Sequence, residues 1–179
     1  QYSRMPRSVD GLDKALEWPL FRALLPDLAG KRLLDLGCGF GWHCRYARDA
    51  GAKSVVGVDI SEKMLARARE SGGDPGMVYM RSAIEEIDFP PESFDVAISS
   101  LALHYVADIA PVFQKVNRCL AGGGVFVFSV EHPIFTSMAA QDWHYGGSGV
   151  RLHWPVDNYQ AEGLRRTSWL ADDVVKYHR

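Results

Sequence analysis

Three glycines, separated by single residues, follow an apolar run in the first quarter of the chain. Residues 33–36 (Leu-Leu-Asp-Leu) lead directly into Gly37, Gly39 and Gly41. Because glycine has no Cβ and accepts positive φ angles, such a turn lets a ligand lie against bare backbone. Asp59 ends the next apolar run and is placed to accept hydrogen bonds from a ribose diol. The pairing predicts a nucleotide-type cofactor site at the carboxyl ends of parallel strands.

The glycine spacing differs from two other nucleotide-binding patterns. The dinucleotide fingerprint is G-x-G-x-x-G, and Trp42 stands where its last glycine would allow close helix–strand packing. The phosphate-loop pattern also fails, because no Gly-Lys-Ser/Thr follows the glycines. Asp35, just before the glycines, suits a cofactor with a cationic amino group, which a nicotinamide dinucleotide lacks. A nicotinamide oxidoreductase is therefore disfavoured.

Four further motifs follow the glycine turn in order. They are residues 55–61 with Met64 and Leu65, residues 81–84 with Phe89 and Pro90, residues 94–105, and residues 120–130. Together the five motifs resemble those of class I S-adenosyl-L-methionine (SAM)-dependent methyltransferases. More closely they resemble the small-molecule branch related to ubiquinone and menaquinone methyltransferases. The resemblance covers residues 1–130 and implies SAM as cofactor, with S-adenosylhomocysteine (SAH) as its product.

The resemblance implies cofactor roles for the motif residues. Asp35 would hold the methionine amino group, directly or through water, although it could instead cap the following helix. Asp59 would take both ribose hydroxyls, and Ile60 and Met64 would flank the adenine while also packing in the core. Ser82 could be a turn residue only. The implied cofactor-binding set is Asp35, Gly37, Cys38, Gly39, Phe40, Gly41, Asp59, Ile60, Met64, Ser82, Ala83, Ile84, Ser99, Ser100 and Leu101.

Methyl transfer needs alignment and water exclusion, and it needs a base only if the acceptor must lose a proton. His104 is the best candidate base, because it follows the fourth-strand motif and histidine titrates in the useful range. A purely structural role for it is equally consistent with the sequence. Tyr105 could orient the acceptor. His132, beside Glu131, would also face the cleft, unless these two residues only form the turn before Pro133.

Strands alternating with helices predict an α/β fold, a Rossmann-like doubly wound parallel sheet. The resemblance implies strand order 3-2-1-4-5, and strands 6 and 7 of that family have no counterpart before Arg179. Three segments are expected: a helical segment over 1–30, a SAM-binding core over 31–130, and a truncated aromatic-rich lid over 131–179. Residues 11–28 are predicted to be helical, with Leu12, Leu16, Leu20 and Leu24 on one face, and Pro19 is expected to kink this helix or to start a second one. The segment 131–170 shows no sheet periodicity, and a helix is expected to begin near the carboxyl end.

The composition limits the classes of binding partner and the cellular setting that are expected for this chain. The formal charge is −2 with no Lys/Arg run, which disfavours nucleic acid. Three cysteines without C-x-x-C spacing indicate a reduced, cytoplasmic setting, and the histidines of the lid do not show metal-ligand spacing, so no metal is predicted. No apolar stretch reaches membrane-spanning length. A five-stranded sheet would expose an edge through which the chain could form an oligomer.

The leading hypothesis is an enzyme that transfers a methyl group from SAM to a small molecule. The aromatic residues of the lid, including Trp143, Trp154 and Trp169, favour an apolar or aromatic acceptor, or cation–π contact with the sulfonium; they could equally pack on one another. Tyr2, Met5 and Arg7 are expected to close over the cofactor. The alternative is a non-catalytic or truncated SAM-binding protein.

Overall fold

The computed structural model describes residues 11–70, 72–167 and 174–179. The main sheet has five parallel strands in the order β3-β2-β1-β4-β5, which confirms the predicted order 3-2-1-4-5. A helix or turn crosses back over the sheet between each pair of consecutive strands, as parallel pairing requires. The strands are β1 (Arg32–Leu36), β2 (Ser54–Asp59), β3 (Met77–Arg81), β4 (Phe94–Ser100) and β5 (Leu120–Ser129).

Helices cover both faces of this sheet and create two buried clusters. Side chains of β1 alternate between them: Leu33 joins one cluster, while Leu34 and Leu36 join the other. All three are fully buried, as expected for a central strand covered on both faces. The helices around the sheet are α1 (Trp18–Leu24), α2 (Trp42–Asp49), α3 (Glu62–Glu70) and α4 (Ile109–Cys119).

The amino-terminal region contains two helical elements, which agrees with one of the two effects expected of Pro19. A short 3-10 turn precedes α1, and Pro19 lies in the first turn of α1, where a new helix starts. Trp18 and Phe21 are buried, whereas Leu16, Leu20 and Leu24, which are predicted to share one helix face, are exposed by 98%, 77% and 66%. The break shifts the helical phase, so the bulkier aromatic rings face the sheet instead of the leucines.

The carboxyl-terminal region is more regular than its sequence suggests. After the short helix α5 (Pro133–Thr136) come two antiparallel hairpins. The expected helix near Arg179 is wrong, because a strand runs to His178. This strand buries Lys176 and His178, so polar residues occupy the inward positions and hide the alternation that normally reveals a strand. The hairpin strands are β6 (His144–Tyr145), β7 (Arg151–His153), β8 (Gly163–Thr167) and β9 (Val174–His178).

Two expectations fall outside the described residues: the closing role of Tyr2, Met5 and Arg7, and the contribution of Trp169 to the lid. Within the described part of the chain, no helix is long and apolar enough to cross a membrane.

Candidate functional site

A cavity of about 500 Å³ opens at the carboxyl ends of β1, β2 and β4. This volume lies within the range that small-molecule and cofactor sites usually have. The glycine turn, the end of β2, the turn after β3 and the segment after β4 form its walls. Of the predicted site residues, the cavity is lined by Gly37, Gly39, Asp59, Ile60, Met64, Ala83, Ile84, Ser100, Leu101, His104 and Tyr105.

The glycine turn has the geometry that only glycine adopts easily. Gly37 and Gly39 have φ angles of 77° and 55°. A Cβ on Gly37 would lie 2.4 Å from the Cβ of Ala102, whereas a Cβ on Gly39 would meet nothing within 4 Å. Gly37 therefore allows the turn to pack against the segment after β4. Gly39 leaves open space beside the backbone, where a ligand can approach.

Asp59 ties the end of β2 to the glycine turn. Its Oδ2 accepts a hydrogen bond from the main-chain N–H of Gly39 at 2.8 Å, and its Oδ1 accepts one from Ser61 at 2.8 Å. Burial raises the pKa of Asp59, and these two N–H donors oppose the rise. A carboxylate oxygen can accept more than one hydrogen bond, so both oxygens keep acceptor capacity for a diol.

Asp35 lies beneath the turn and is 1% exposed. Its Oδ2 accepts from the Cys44 thiol at 3.2 Å, while its Oδ1 is buried without a hydrogen-bond partner. Burial raises the pKa of Asp35 to about 7. A buried, unpaired carboxylate oxygen is costly unless a ligand or water completes it. Together with the open side of Gly39, it fits a cofactor that brings a cationic amino group to the turn.

The remaining predicted cofactor residues support the cavity from behind its surface. Cys38 is buried, and its thiol shares a hydrogen bond with Cys44. The carbonyl of Phe40 accepts from Arg45 at 2.8 Å. At Gly41, a Cβ would lie 2.1 Å from the Tyr79 hydroxyl, so a side chain has no room there.

Two predicted serines also make internal contacts. The Ser99 hydroxyl donates to the Leu36 carbonyl at 2.8 Å and joins β4 to β1. The Ser82 hydroxyl donates to the Ala83 carbonyl at 3.0 Å, as a turn residue does. Both therefore hold the cavity walls in place instead of lining them.

Leu101 lines the cavity in an unusual backbone conformation. Its φ angle of 52° lies in the left-handed region that a branched apolar residue rarely adopts. The N–H of Leu101 donates to the carbonyl of Ser129, at 2.9 Å, which holds the turn after β4 against the end of β5. Such strain costs about 1–3 kcal/mol and persists only where the surroundings enforce it.

The three candidate catalytic residues lie in different environments. His104 is 5% exposed, and burial lowers its pKa to about 4. The ring of Tyr105 lies 4.3 Å from the His104 ring, between centroids, and both residues line the cavity. His132 is exposed, and its Nδ1 accepts from the N–H of Ile134 at 3.2 Å, so it caps α5. The structure thus brings His104 and Tyr105 together and gives His132 the turn-forming role.

The cavity is also lined by residues outside the predicted set of site residues. Glu131, already considered as facing the cleft, does line it, and its carboxylate contacts the ammonium of Lys176 at 2.6 and 2.8 Å. Lys176 lies 45 residues further along the chain, so no local motif signals it. The other additional lining residues are Ser61, Glu85, Ala102 and Val106. No group of three or more potential metal ligands occurs among residues 11–70, 72–167 and 174–179.

Comparison with known proteins gives the family. The methyltransferase domain family matches residues 34–128. An S-adenosylmethionine-dependent methyltransferase from Mesorhizobium loti has 54% identity and a TM-score of 0.85, with 94% of this chain and 77% of that chain covered. A structure from Listeria monocytogenes has 48% identity and a TM-score of 0.86, with 91% and 76% covered.

A curated relative has a named activity. The 27-O-demethylrifamycin SV methyltransferase of Amycolatopsis mediterranei is 33% identical over 87% of this chain. The chain spans 61% of the length of that relative. Residues 34–128, which the methyltransferase domain family matches, contain the whole glycine turn, Asp59 and the segment after β4. The chain therefore belongs to the methyltransferase domain family and carries the Rossmann-like fold of class I SAM-dependent methyltransferases.

Proposed function

We propose that this protein transfers a methyl group from SAM to a small-molecule acceptor. One observation carries the proposal. A single cavity of about 500 Å³ joins the Asp59 carboxylate and the glycine turn to a wall that contains His104 and Glu131. A site that binds a cofactor at one end and an acceptor at the other requires this continuity, because the two reacting groups must meet in line.

The residues at the first end suit each part of SAM. Asp59 would accept from the ribose hydroxyls, and Asp35 would receive the amino group of the methionine portion. Ile60, which is 67% exposed, and Met64 offer apolar surface for the adenine. Ala83, Ile84 and the carboxyl-side turn after β3 would complete the adenine end.

The chemistry at the second end is a direct displacement. SAM supplies an activated methyl group, so the protein must align the acceptor and exclude water. His104, with a pKa of about 4, is neutral at physiological pH and is a weak base there. Leu101, Ala102 and Val106 make the wall largely apolar, which supports an apolar or aromatic acceptor.

Two measurements test the proposal. A calorimetric titration with SAH is expected to show one-to-one binding, and turnover on an acceptor panel is expected to produce SAH. The panel includes quinols and phenols, which represent the ubiquinone and menaquinone branch, and macrocyclic phenols. Absence of SAH binding by folded protein would refute the cofactor assignment. SAH binding without turnover on any acceptor would favour the alternative, a SAM-binding protein without catalysis.

The partners of the chain are part of the same proposal. The edge strand β5 exposes Val125 and Phe128, and Val130 just after it is also exposed, which supports self-association through that edge. Sedimentation over a range of protein concentrations measures it, and a monomer at all concentrations would contradict it. The formal charge of −2 supports a substrate other than nucleic acid, and salt-dependent RNA or DNA binding would contradict that.

A further inference from the structure

A buried ion pair forms part of the cavity wall near His104. The Lys176 ammonium donates to both carboxylate oxygens of Glu131, at 2.6 and 2.8 Å. The Lys176 side chain is 2% exposed and that of Glu131 is 22% exposed. A lysine at this depth is stable only with a partner, because an unpaired buried charge is very costly. Glu131 lines the cavity, so the pair places a fixed carboxylate in its wall.

The pair connects two distant parts of the chain at this wall. Glu131 follows β5, whereas Lys176 lies in β9 of the carboxyl-terminal hairpin. β9 packs against both α5 and the turn Leu103–Tyr105, which carries His104. Arg179, just after β9, donates to the carbonyls of Val106 and Ala107. The hairpin is therefore attached to the His104 segment at more than one point.

The same arrangement determines which nitrogen of His104 carries its proton. Nδ1 accepts from the main-chain N–H of Glu131 at 3.5 Å, and this contact favours the neutral imidazole that carries its hydrogen on Nε2. In the part of the chain that the structure describes, Nε2 has no hydrogen-bond partner. The imidazole thus offers an N–H donor at Nε2, while the lone pair of Nδ1 already accepts the hydrogen bond from Glu131.

We propose that Lys176 is a positioning residue: by holding Glu131 against His104, it keeps the imidazole as an Nε2–H donor that hydrogen-bonds an oxygen of the methyl acceptor. This inference rests on the proposed methyl transfer. It deepens that proposal by naming the acceptor as an oxygen-bearing molecule and His104 as a hydrogen-bond donor instead of a base.

The reaction then proceeds without a proton moving to His104. A lone pair of the acceptor attacks the methyl carbon, the carbon–sulfur bond breaks, and its electron pair remains on sulfur, which gives SAH. The acceptor therefore enters with the attacking atom already unprotonated, as in a carboxylate or phenolate. A hydrogen bond from Nε2–H fixes its orientation relative to the methyl group.

The charges around His104 predict how the ion pair acts on it. Burial lowers the pKa of His104 most, the Glu131 carboxylate raises it, and the Lys176 ammonium lowers it. The titratable side chain of Tyr105 also packs on the ring. Replacing Lys176 by Met removes a cation and leaves the carboxylate, so the pKa of His104 must rise.

Nitrogen-15 NMR of labelled histidines in the SAH-saturated protein tests this inference, with the His104 signals assigned by their loss in His104→Gln. The wild type is expected to show the neutral Nε2–H form between about pH 5 and 8. Lys176→Met is expected to show imidazolium signals as the pH falls through about 6. The double variant Glu131→Gln/Lys176→Met is expected to restore the neutral form, because no unpaired charge remains beside the ring.

Lys31→Met, an exposed lysine just before β1, is the matched control and is expected to leave the spectrum unchanged. An Nδ1–H form in the wild type, or the same titration in wild type and Lys176→Met, would overturn the inference. Calorimetry on the same samples keeps the two proposals separate. If SAH does not bind the wild type, the methyl-transfer proposal fails, and the spectra of SAH-free protein still report the tautomer of His104.

Discussion

Replacing Asp59 by Ala removes a side chain that has two roles in the structure. Its oxygens accept from the N–H groups of Gly39 and Ser61, both at 2.8 Å, and Asp59 also lines the cavity. A hydrogen bond to a charged group contributes about 1.5–3 kcal/mol, and part of this loss is recovered by water. We therefore expect SAH binding to weaken by about 1–3 kcal/mol, roughly 5- to 150-fold in Kd.

The assay is calorimetric titration with SAH, with the melting temperature recorded for each sample. Asp49→Ala is the matched control, because Asp49 is an exposed acid at the end of α2. Asp59→Asn is a milder variant that keeps the size of the side chain and removes its charge. In this variant an amide NH₂ replaces one carboxylate oxygen and faces a main-chain N–H, so the side chain cannot accept from both Gly39 and Ser61. Unchanged SAH affinity in Asp59→Ala, with a folded protein, would refute the ribose assignment.

Three further predictions concern stability. Gly37→Ala should lower both the melting temperature and SAH affinity, because its Cβ would lie 2.4 Å from that of Ala102; an unchanged melting curve would contradict this. Arg32 lowers the pKa of Asp95 to about 2, so this pair stabilises the fold above about pH 4 and loses that effect as the pH falls through about 2. Urea unfolding should show a weaker acid dependence in Asp95→Asn, by under about 1 kcal/mol because the pair is partly exposed, and identical curves would contradict it. Leu33→Ala should lower the free energy of unfolding by about 2–5 kcal/mol in the same measurement. A loss below about 1 kcal/mol would contradict this and would mean that the neighbouring core side chains fill the space left by Leu33.

The sheet and the cofactor end were predictable because their signals are local. Each strand of the main sheet is a short apolar run, and the glycines stand directly after the first one. The acid at the end of β2 is likewise fixed by its place in the chain. Parallel pairing then brings Gly39 and Asp59 together, although they are 20 residues apart.

The errors arose where tertiary packing overrides a local pattern. Leu16, Leu20 and Leu24 have helical spacing, yet Trp18 and Phe21 occupy the core because α1 begins at a different phase. The burial of Lys176 depends on a carboxylate 45 residues earlier, and sequence periodicity carries no information about such a partner.

Because one end of the cavity depends on the ion pair between Glu131 and Lys176, the two ends are held together by contacts of different sequence separation. The glycine turn and Asp59 are joined through the central strands, whereas the other wall closes only when the carboxyl-terminal hairpin docks. Ordering a contact of long sequence separation costs more chain entropy, and such regions open locally at lower free energy than a central sheet. We therefore expect the wall that contains Glu131 to open at a lower free energy than the end that contains Asp59, so that sequence changes in the hairpin would alter this wall and leave the glycine turn in place.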